Sequence, residues 1–253
     1  MKSRSFTIVL FVLFVVNASA QDFVTRARIE FEKKESLQRR FAGGITSPQI
    51  KDQYPEAYIT YYDLLFAGGE SLYRSGREVF TPQTPGRSTV SMPKNNNVLY
   101  FNFNTGQSVA KRNILQEEYV FDDSVPLIKW KIGQETRKIA GYECRKAIGR
   151  IFDTVYLVAF YAEELVIKGG PEGFQGLPGM ILGLAIPRYN TTWFATKVEL
   201  ANFYESLIQP PALKGKKISK EETKAKLIKK YEQMGVKDPT RSIEYYFKKN
   251  YFL

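Results

Sequence analysis

The side chains able to do chemistry are few. Three acidic pairs, Glu117-Glu118, Asp122-Asp123 and Glu163-Glu164, together with Asp153 and Glu172, could supply the two carboxylates of a glycoside hydrolase. That requires two of them to meet in one cleft. Adjacent residues on a strand point to opposite faces, so no pair is a dyad by itself. Solvated turn and edge carboxylates are the ordinary outcome. Asp122-Asp123 could open a calcium loop, but the remaining oxygen ligands are not at the required spacing. The chain has no histidine and one cysteine, Cys144. This removes the commonest general base and metal ligand and argues against a conventional zinc or Ser-His-Asp site. The expectation is a non-enzymatic protein with no catalytic residue, no cofactor and no metal. A carboxylate-based hydrolase is the alternative, and a structural or scaffolding protein a third reading.

The most unusual stretch runs from Gly169 to Gly183 and holds six of the 18 glycines and two of the 12 prolines. It contains neither a Walker-type loop nor a dinucleotide fingerprint, and an apolar run, Met180 to Ile186, follows it in place of a helix. Leu177-Pro178-Gly179-Met180 has the composition of a type II turn, with Pro presetting φ and Gly accepting φ > 0. Glu172 is its only titratable residue, so the stretch reads as shape more than chemistry.

The elements that must position these residues follow from periodicity. Phe23, Thr25, Ala27, Ile29 and Phe31 alternate with charged residues, which describes a half-buried strand. Ala57 to Phe66, a hairpin at Ala67-Gly68-Gly69, strands around Asn104-Thr105-Gly106, and strands over 126–132, 139–151 and 152–161 continue the pattern. Gly141 reads as an interruption within the 139–151 strand. Met180 to Ile186 and Thr192 to Leu200 complete nine or ten strands. Glu35 to Pro55 reads as an insertion, and 81–97 as a polar loop. Without strand–helix alternation, the fold class is mainly β: a curved antiparallel meander sheet or partly open barrel with a C-terminal helical tail. In that tail Ser219 and Glu222 form a capping box, and Gly235 suits the helix end. Asp238-Pro239 opens a second helix running to about Lys249.

Residues 1–20 have the basic end, apolar core and Ala18-Ser19-Ala20 site of a secretory signal cleaved after Ala20. The expected organisation is signal peptide 1–20, β domain 21–209 and basic tail 210–253, in the periplasm or secreted. No later run is long enough to span a membrane, so no transmembrane segment is expected in the mature chain. The chain carries a formal charge of +11, of which +7 lies in residues 210–253. That tail could meet an anionic surface. Nucleic acid is not an expected partner outside the cytoplasm. A lone cysteine permits no internal disulfide, and Cys144 reads as a small buried hydrophobe. The 152–161 strand is apolar on both faces and could line a groove for an apolar ligand.

Two blocks carry a family resemblance. Gly176-Leu177-Pro178-Gly179-Met180-Ile181 resembles the name-giving motif of the GLPGLI family of exported proteins from Gram-negative bacteria, with Met180 where the family has Leu. Upstream, Trp130-Lys131-Ile132 and then Ile139-Ala140-Gly141-Tyr142-Glu143-Cys144-Arg145-Lys146-Ala147 look like a second block of the same family. Gly141, Tyr142, Cys144 and Lys146 are its matching positions. Ala159 to Leu165 departs from the family pattern. The resemblance implies a structural role for these motif residues and no reaction. It also implies an envelope setting near outer-membrane transporters, which makes a transporter a candidate partner beside the apolar ligand.

Overall fold

The computed structural model describes residues 26–36, 57–78, 96–114, 117–124, 127–200, 205–212 and 218–250. The signal segment, residues 37–55 of the expected Glu35–Pro55 insertion and most of the 81–97 loop lie outside the described residues, while Glu35 and Ser36 end the first strand instead of opening an insertion. The strands are β1 (Arg26–Ser36), β2 (Ala57–Ala67), β3 (Glu70–Ser75), β4 (Val98–Asn102), β5 (Gln107–Ile114), β6 (Glu117–Ser124), β7 (Trp130–Ile139), β8 (Tyr142–Ile151), β9 (Val155–Ala162), β10 (Met180–Ile186) and β11 (Thr191–Glu199). Two helices follow, α1 (Lys220–Gln233) and α2 (Pro239–Asn250). The eleven strands form one antiparallel sheet in the order β6-β5-β4-β3-β2-β1-β11-β10-β9-β8-β7. The sheet is open, since β6 and β7 occupy opposite ends. It is two meanders, β1 to β6 and β7 to β11, joined along a seam where β1 pairs with β11.

Alternation on β1 assigns the faces. Ala27, Ile29 and Phe31 are fully buried, and Arg28, Glu30 and Glu32 point the other way. The β1–β2 register carries the inner face onward, with Ala27 opposite Phe66, Ile29 opposite Leu64 and Phe31 opposite Tyr62. Across β3, β4 and β5 it continues through Tyr73, Leu99 and Ala110. At the seam, Phe31 lies opposite Ala195 and Lys33 opposite Trp193.

The inner face is covered in two ways. The core formed with β8 to β11 takes in Phe174, Leu177, Met180 and Ile181 from the glycine-proline stretch. At the other end, Leu227 of α1 and Ile243 and Phe247 of α2 bury Ile114, Tyr119 and Phe121 of β5 and β6. The tail is therefore a packed part of the molecule. Its first helix has the expected capping box, with Glu222 N donating to Ser219 Oγ and Ser219 N donating to Glu222 Oε2. Glu117 accepts from Lys226 and Lys230 at 2.7 and 3.1 Å, which ties α1 to the first residue of β6. Lys226, then Tyr119 and Lys230, hold the Glu117 carboxyl down at about 2.

Several strand limits differ from the sequence expectation. Gly141 does not interrupt a strand. Ala140 (φ 47°) and Gly141 (φ 92°) form the two-residue turn of the β7–β8 hairpin, with Ile139 opposite Tyr142. The strand expected after the Asn104-Thr105-Gly106 turn, over Gln107 to Phe121, is instead two strands, β5 and β6, paired with each other. The 152–161 stretch begins with a turn in which Phe152 and Asp153 have positive φ, and β9 starts at Val155. The strand expected to be apolar on both faces is covered unevenly: Leu157, Ala159 and Tyr161 share the fully buried face of β9, whereas on the other face Tyr156 is 59% exposed and only Phe160 and Ala162, toward the strand end, are buried. The tip of β7 also bends over the outer face, so that the Arg137 guanidinium lies 4.8 Å from the Phe194 ring centre.

Candidate functional site

The glycine-proline stretch crosses the inner face, and its path is fixed at both ends by backbone hydrogen bonds. Met180 N donates to Leu165 O at 3.0 Å, and Ile181 N donates to Gly169 O at 2.8 Å. In the crossing, Pro171–Gly173 forms one 3₁₀ turn, within which Glu172 is left-handed (φ 53°, ψ 19°). A non-glycine residue there is strained by about 1–2 kcal/mol. What the strain achieves is placement, because the Glu172 side chain is buried on the inner face between two cations. Its Oε2 lies 3.4 Å from Arg112 Nη1, and its Oε1 lies 3.6 Å from Lys33 Nζ.

These contacts extend into a line of alternating charge. Lys33 Nζ is also 3.4 Å from Glu35 Oε1, and Glu35 Oε2 accepts from Lys249 Nζ of α2 at 2.6 Å. The order is Arg112, Glu172, Lys33, Glu35, Lys249, running from β5 through the crossing and β1 to the second helix. Lys33 sits beside aromatic faces, 5.1 Å from the Trp193 ring centre and 5.9 Å from that of Tyr62. Tyr62 stacks on Tyr73 at 5.0 Å. Burial opposes a charge on Lys33, but the field of Glu172, followed by those of Tyr62 and Glu35, outweighs it and raises the ammonium above its ordinary range. Burial likewise pushes Glu35 upward, yet Lys33 and Lys249 bring it below the usual carboxylate range. Burial and then Glu172 push the Tyr73 phenol well up. Every titratable group in the line whose position shifts is thereby held in its charged form, and Tyr73 in its neutral form.

Sequence reasoning missed this cluster, although a signal existed. The parity of Ala27, Ile29 and Phe31 continues to Lys33 and Glu35, so two charges follow three core residues on the buried face of β1. On β5 the parity of Ser108 and Ala110 leads likewise to Arg112. The placement of Glu172 had no such signal, because a crossing segment has no period.

The other candidate acids lie elsewhere. Asp153 is exposed in the β8–β9 turn, and Glu163 and Glu164 are exposed after β9, where Glu163 accepts from Tyr161 Oη at 2.9 Å. These three therefore stand apart from the buried line. Asp122 and Asp123 belong to β6 and lie opposite Val109 and Ser108. In the buried line the carboxylates that come together are Glu172 and Glu35, both on the Lys33 ammonium; at the seam Asp63 and Glu199 likewise share the Arg28 guanidinium. Among the described residues no group of three or more acidic or cysteine side chains is placed to hold a metal ion.

The motif residues separate into two groups that meet. Leu177, Met180 and Ile181 are core, Pro178 is exposed, and Gly176 is left-handed (φ 99°). Gly179 is not left-handed, contrary to the type II turn expected at Leu177-Pro178-Gly179-Met180. It is glycine for another reason: a Cβ there would lie 2.1 Å from the Ala162 carbonyl oxygen. In the second block Gly141 forms the hairpin tip, Tyr142 is half-buried, Cys144 is fully buried, and Lys146 pairs with Glu135 at 2.6 Å. Trp130 Nε1 donates to Gln175 O at 2.9 Å, which joins the start of the second block to the crossing.

The fold and the cluster define a class: an open antiparallel β-sheet protein whose inner face is crossed by a glycine-proline segment that inserts one acid between buried cations. The chain belongs to the family described as N-glycanase peptide, N-terminal domain, whose model matches residues 79–238, more than half of its length. Among solved structures, a PNGF-II crystal in space group P21 superposes with a TM-score of 0.50 at 15% identity, over 79% of this chain and 32% of that one. A PNGF-II crystal in space group C2 gives 0.47 at 15% identity, over 77% and 31%. An uncharacterised conserved protein from Thermus thermophilus gives 0.40 at 5% identity, over 78% and 91%. The chain thus spans about a third of the PNGF-II chains, and at 15% identity the superposition on the P21 crystal is a likeness of fold alone. No curated protein matches it.

Proposed function

We propose that this chain is an exported, non-enzymatic protein of the cell envelope that engages a membrane transport partner, in keeping with its resemblance to the GLPGLI family. The observation that carries the non-enzymatic part is the pairing of Glu172 and Glu35. Hydrolysis by two carboxylates needs one protonated donor and one free base or nucleophile. Here each carboxylate is flanked by two cations, Glu172 by Lys33 and Arg112 and Glu35 by Lys33 and Lys249. Such an arrangement occupies both carboxylates with cations, and Lys33 and Lys249 hold Glu35 below the usual carboxylate range despite its burial. An apolar ligand is less favoured than a protein partner, because the chain's own core already packs Leu157, Ala159 and Tyr161 of β9. The test is cross-linking in envelope fractions of the native host, followed by mass spectrometry. A stoichiometric outer-membrane transporter supports the reading, and cross-links confined to cytoplasmic proteins overturn it.

The second reading is a hydrolase, favoured by the family's description and by the two carboxylates on Lys33. It predicts release of the glycan from an N-linked glycopeptide, abolished in Glu35→Gln without loss of fold. Absence of any release by the wild-type chain removes it.

A further inference from the structure

A pocket of about 270 Å³ opens where the β8–β9 turn, the Pro187–Tyr189 turn and α2 meet, and it shares no residue with the charge line. Its chemistry is set by helical spacing. Arg241, Glu244, Tyr245 and Lys248 recur at intervals of three and four along α2 and form one stripe toward the pocket. Ile243 and Phe247, on another side of the helix, are buried in the core. Arg188 lines the pocket from the facing turn, and the exposed Phe152 ring lines it from the β8–β9 turn. The edge-to-face contact of Tyr189 with Tyr245, 6.0 Å between ring centres, ties the turn to the helix.

Charge in the pocket is unbalanced. Arg188, Arg241 and Lys248 line it, against the single carboxylate of Glu244, which already has Lys224 at 3.6 Å. None of the three cations has a carboxylate within ion-pair distance among the described residues. By contrast, Lys226, Lys230 and Lys249 of the same two helices are each committed to an acid on the sheet. Two guanidinium groups and an ammonium around one opening suit a tetrahedral oxyanion, since each guanidinium can donate twice. The rings of Phe152 and Tyr245 add flat apolar surface for the body that carries the anion.

We propose that this pocket binds a phosphate group, either on a small soluble molecule or on a lipid headgroup. The proposal holds whether or not the chain engages a transporter or hydrolyses a substrate. The test compares the full chain with the Arg188→Gln/Arg241→Gln/Lys248→Gln variant, whose three altered side chains are exposed and whose melting temperature should match the wild type. Lys229→Gln, an exposed α1 lysine outside the pocket, is the control. Inorganic phosphate is titrated by calorimetry in one arm. In the other, sedimentation measures binding to phosphatidylcholine vesicles with and without phosphatidylglycerol. The triple variant should bind at least about tenfold more weakly than wild type and control in one arm or both, and raised salt should weaken the wild type. Loss confined to the phosphate arm assigns a soluble ligand, and loss confined to the phosphatidylglycerol vesicles assigns a headgroup. A triple variant indistinguishable from wild type in both arms overturns the proposal.

Discussion

The indole Nε1 of Trp130 donates to the carbonyl of Gln175 across 45 residues of chain, joining the edge strand β7 to the segment that crosses the inner face. The ring also abuts Gly149, where an added Cβ would lie 2.8 Å from it. Trp130→Phe keeps most of the ring and removes the donor, which leaves a partly buried carbonyl unsatisfied. The expected loss is about 1–3 kcal/mol in chemical denaturation. Unchanged stability would show that the carbonyl finds another donor.

Two motif glycines should fail for different reasons. Gly179→Ala places a Cβ against the Ala162 backbone, where nothing flexible can give way, so a large fall in melting temperature or loss of soluble protein is expected. Gly141→Ala has open space around it and only a φ of 92° to oppose, costing on the order of 1–2 kcal/mol. If the two variants melt alike, the close approach at Ala162 is not what requires Gly179.

Glu172 is held in a strained conformation by its cations. Glu172→Ala removes the carboxylate shared by Lys33 and Arg112 and should cost about 3–5 kcal/mol, since all three side chains are largely buried. Glu172→Gly makes the same deletion while relieving the left-handed strain, and should recover about 1 kcal/mol of that loss. A glycine variant as stable as wild type would mean the ion pairs do no more than offset the left-handed strain of Glu172.

Glu35 gives the cluster a pH signature. A carboxyl depressed in the folded state stabilises above its unfolded value of 4.5 and loses that contribution as pH falls through the folded value. The melting temperature should therefore decline on acidification below about pH 4.5, and Glu35→Gln should flatten that limb. Lys33 has the opposite sign. Raised in the folded state, it stabilises fully below 10.5 and loses the contribution only as pH climbs above that value into strongly alkaline solution. Wild-type and Glu35→Gln profiles that run parallel through the acid range would exclude Glu35 as a source.

The tail should separate from the sheet when its anchor is cut. Leu227 is 1% exposed, and Leu227→Ala should cost about 2–5 kcal/mol. Hydrogen exchange should report the loss first in residues 220–250, with β8 to β10 retaining protection. Simultaneous loss across the whole sheet would make the tail part of one cooperative unit.

Cys144 is fully buried, and burial pushes its thiol up to about 11. It should resist iodoacetamide in the native protein and react at neutral to mildly alkaline pH only after denaturant is added. Native labelling at the denatured rate would contradict its placement.

Strand alternation made the sheet legible, because period two survives wherever one face is buried, as at Ala27-Ile29-Phe31. The capping box at Ser219 and the Pro239 start made both helices legible through local chemistry alone. What escaped depended on distance. The left-handed pair Ala140-Gly141 looks like an interruption until the pairing of Ile139 with Tyr142 is known. Gly179 looks like a turn glycine until Ala162 comes against it. Lys33 and Glu35 continue a visible pattern, but their meaning depends on Glu172 and Lys249 arriving from 139 and 214 positions away.

The seam between β1 and β11 has a kinetic consequence. Arg28 lies opposite Glu199, so the first strand cannot complete its pairing until the last has been synthesised. Until then the six-stranded N-terminal meander presents an unpaired β1 edge and the uncovered apolar residues Ala27, Ile29 and Phe31. Closure over such sequence separation belongs to the slow end of folding, on the order of milliseconds to seconds. A half-sheet formed before β11 joins it would expose that edge and those apolar residues together, which is the form a chaperone would need to shield.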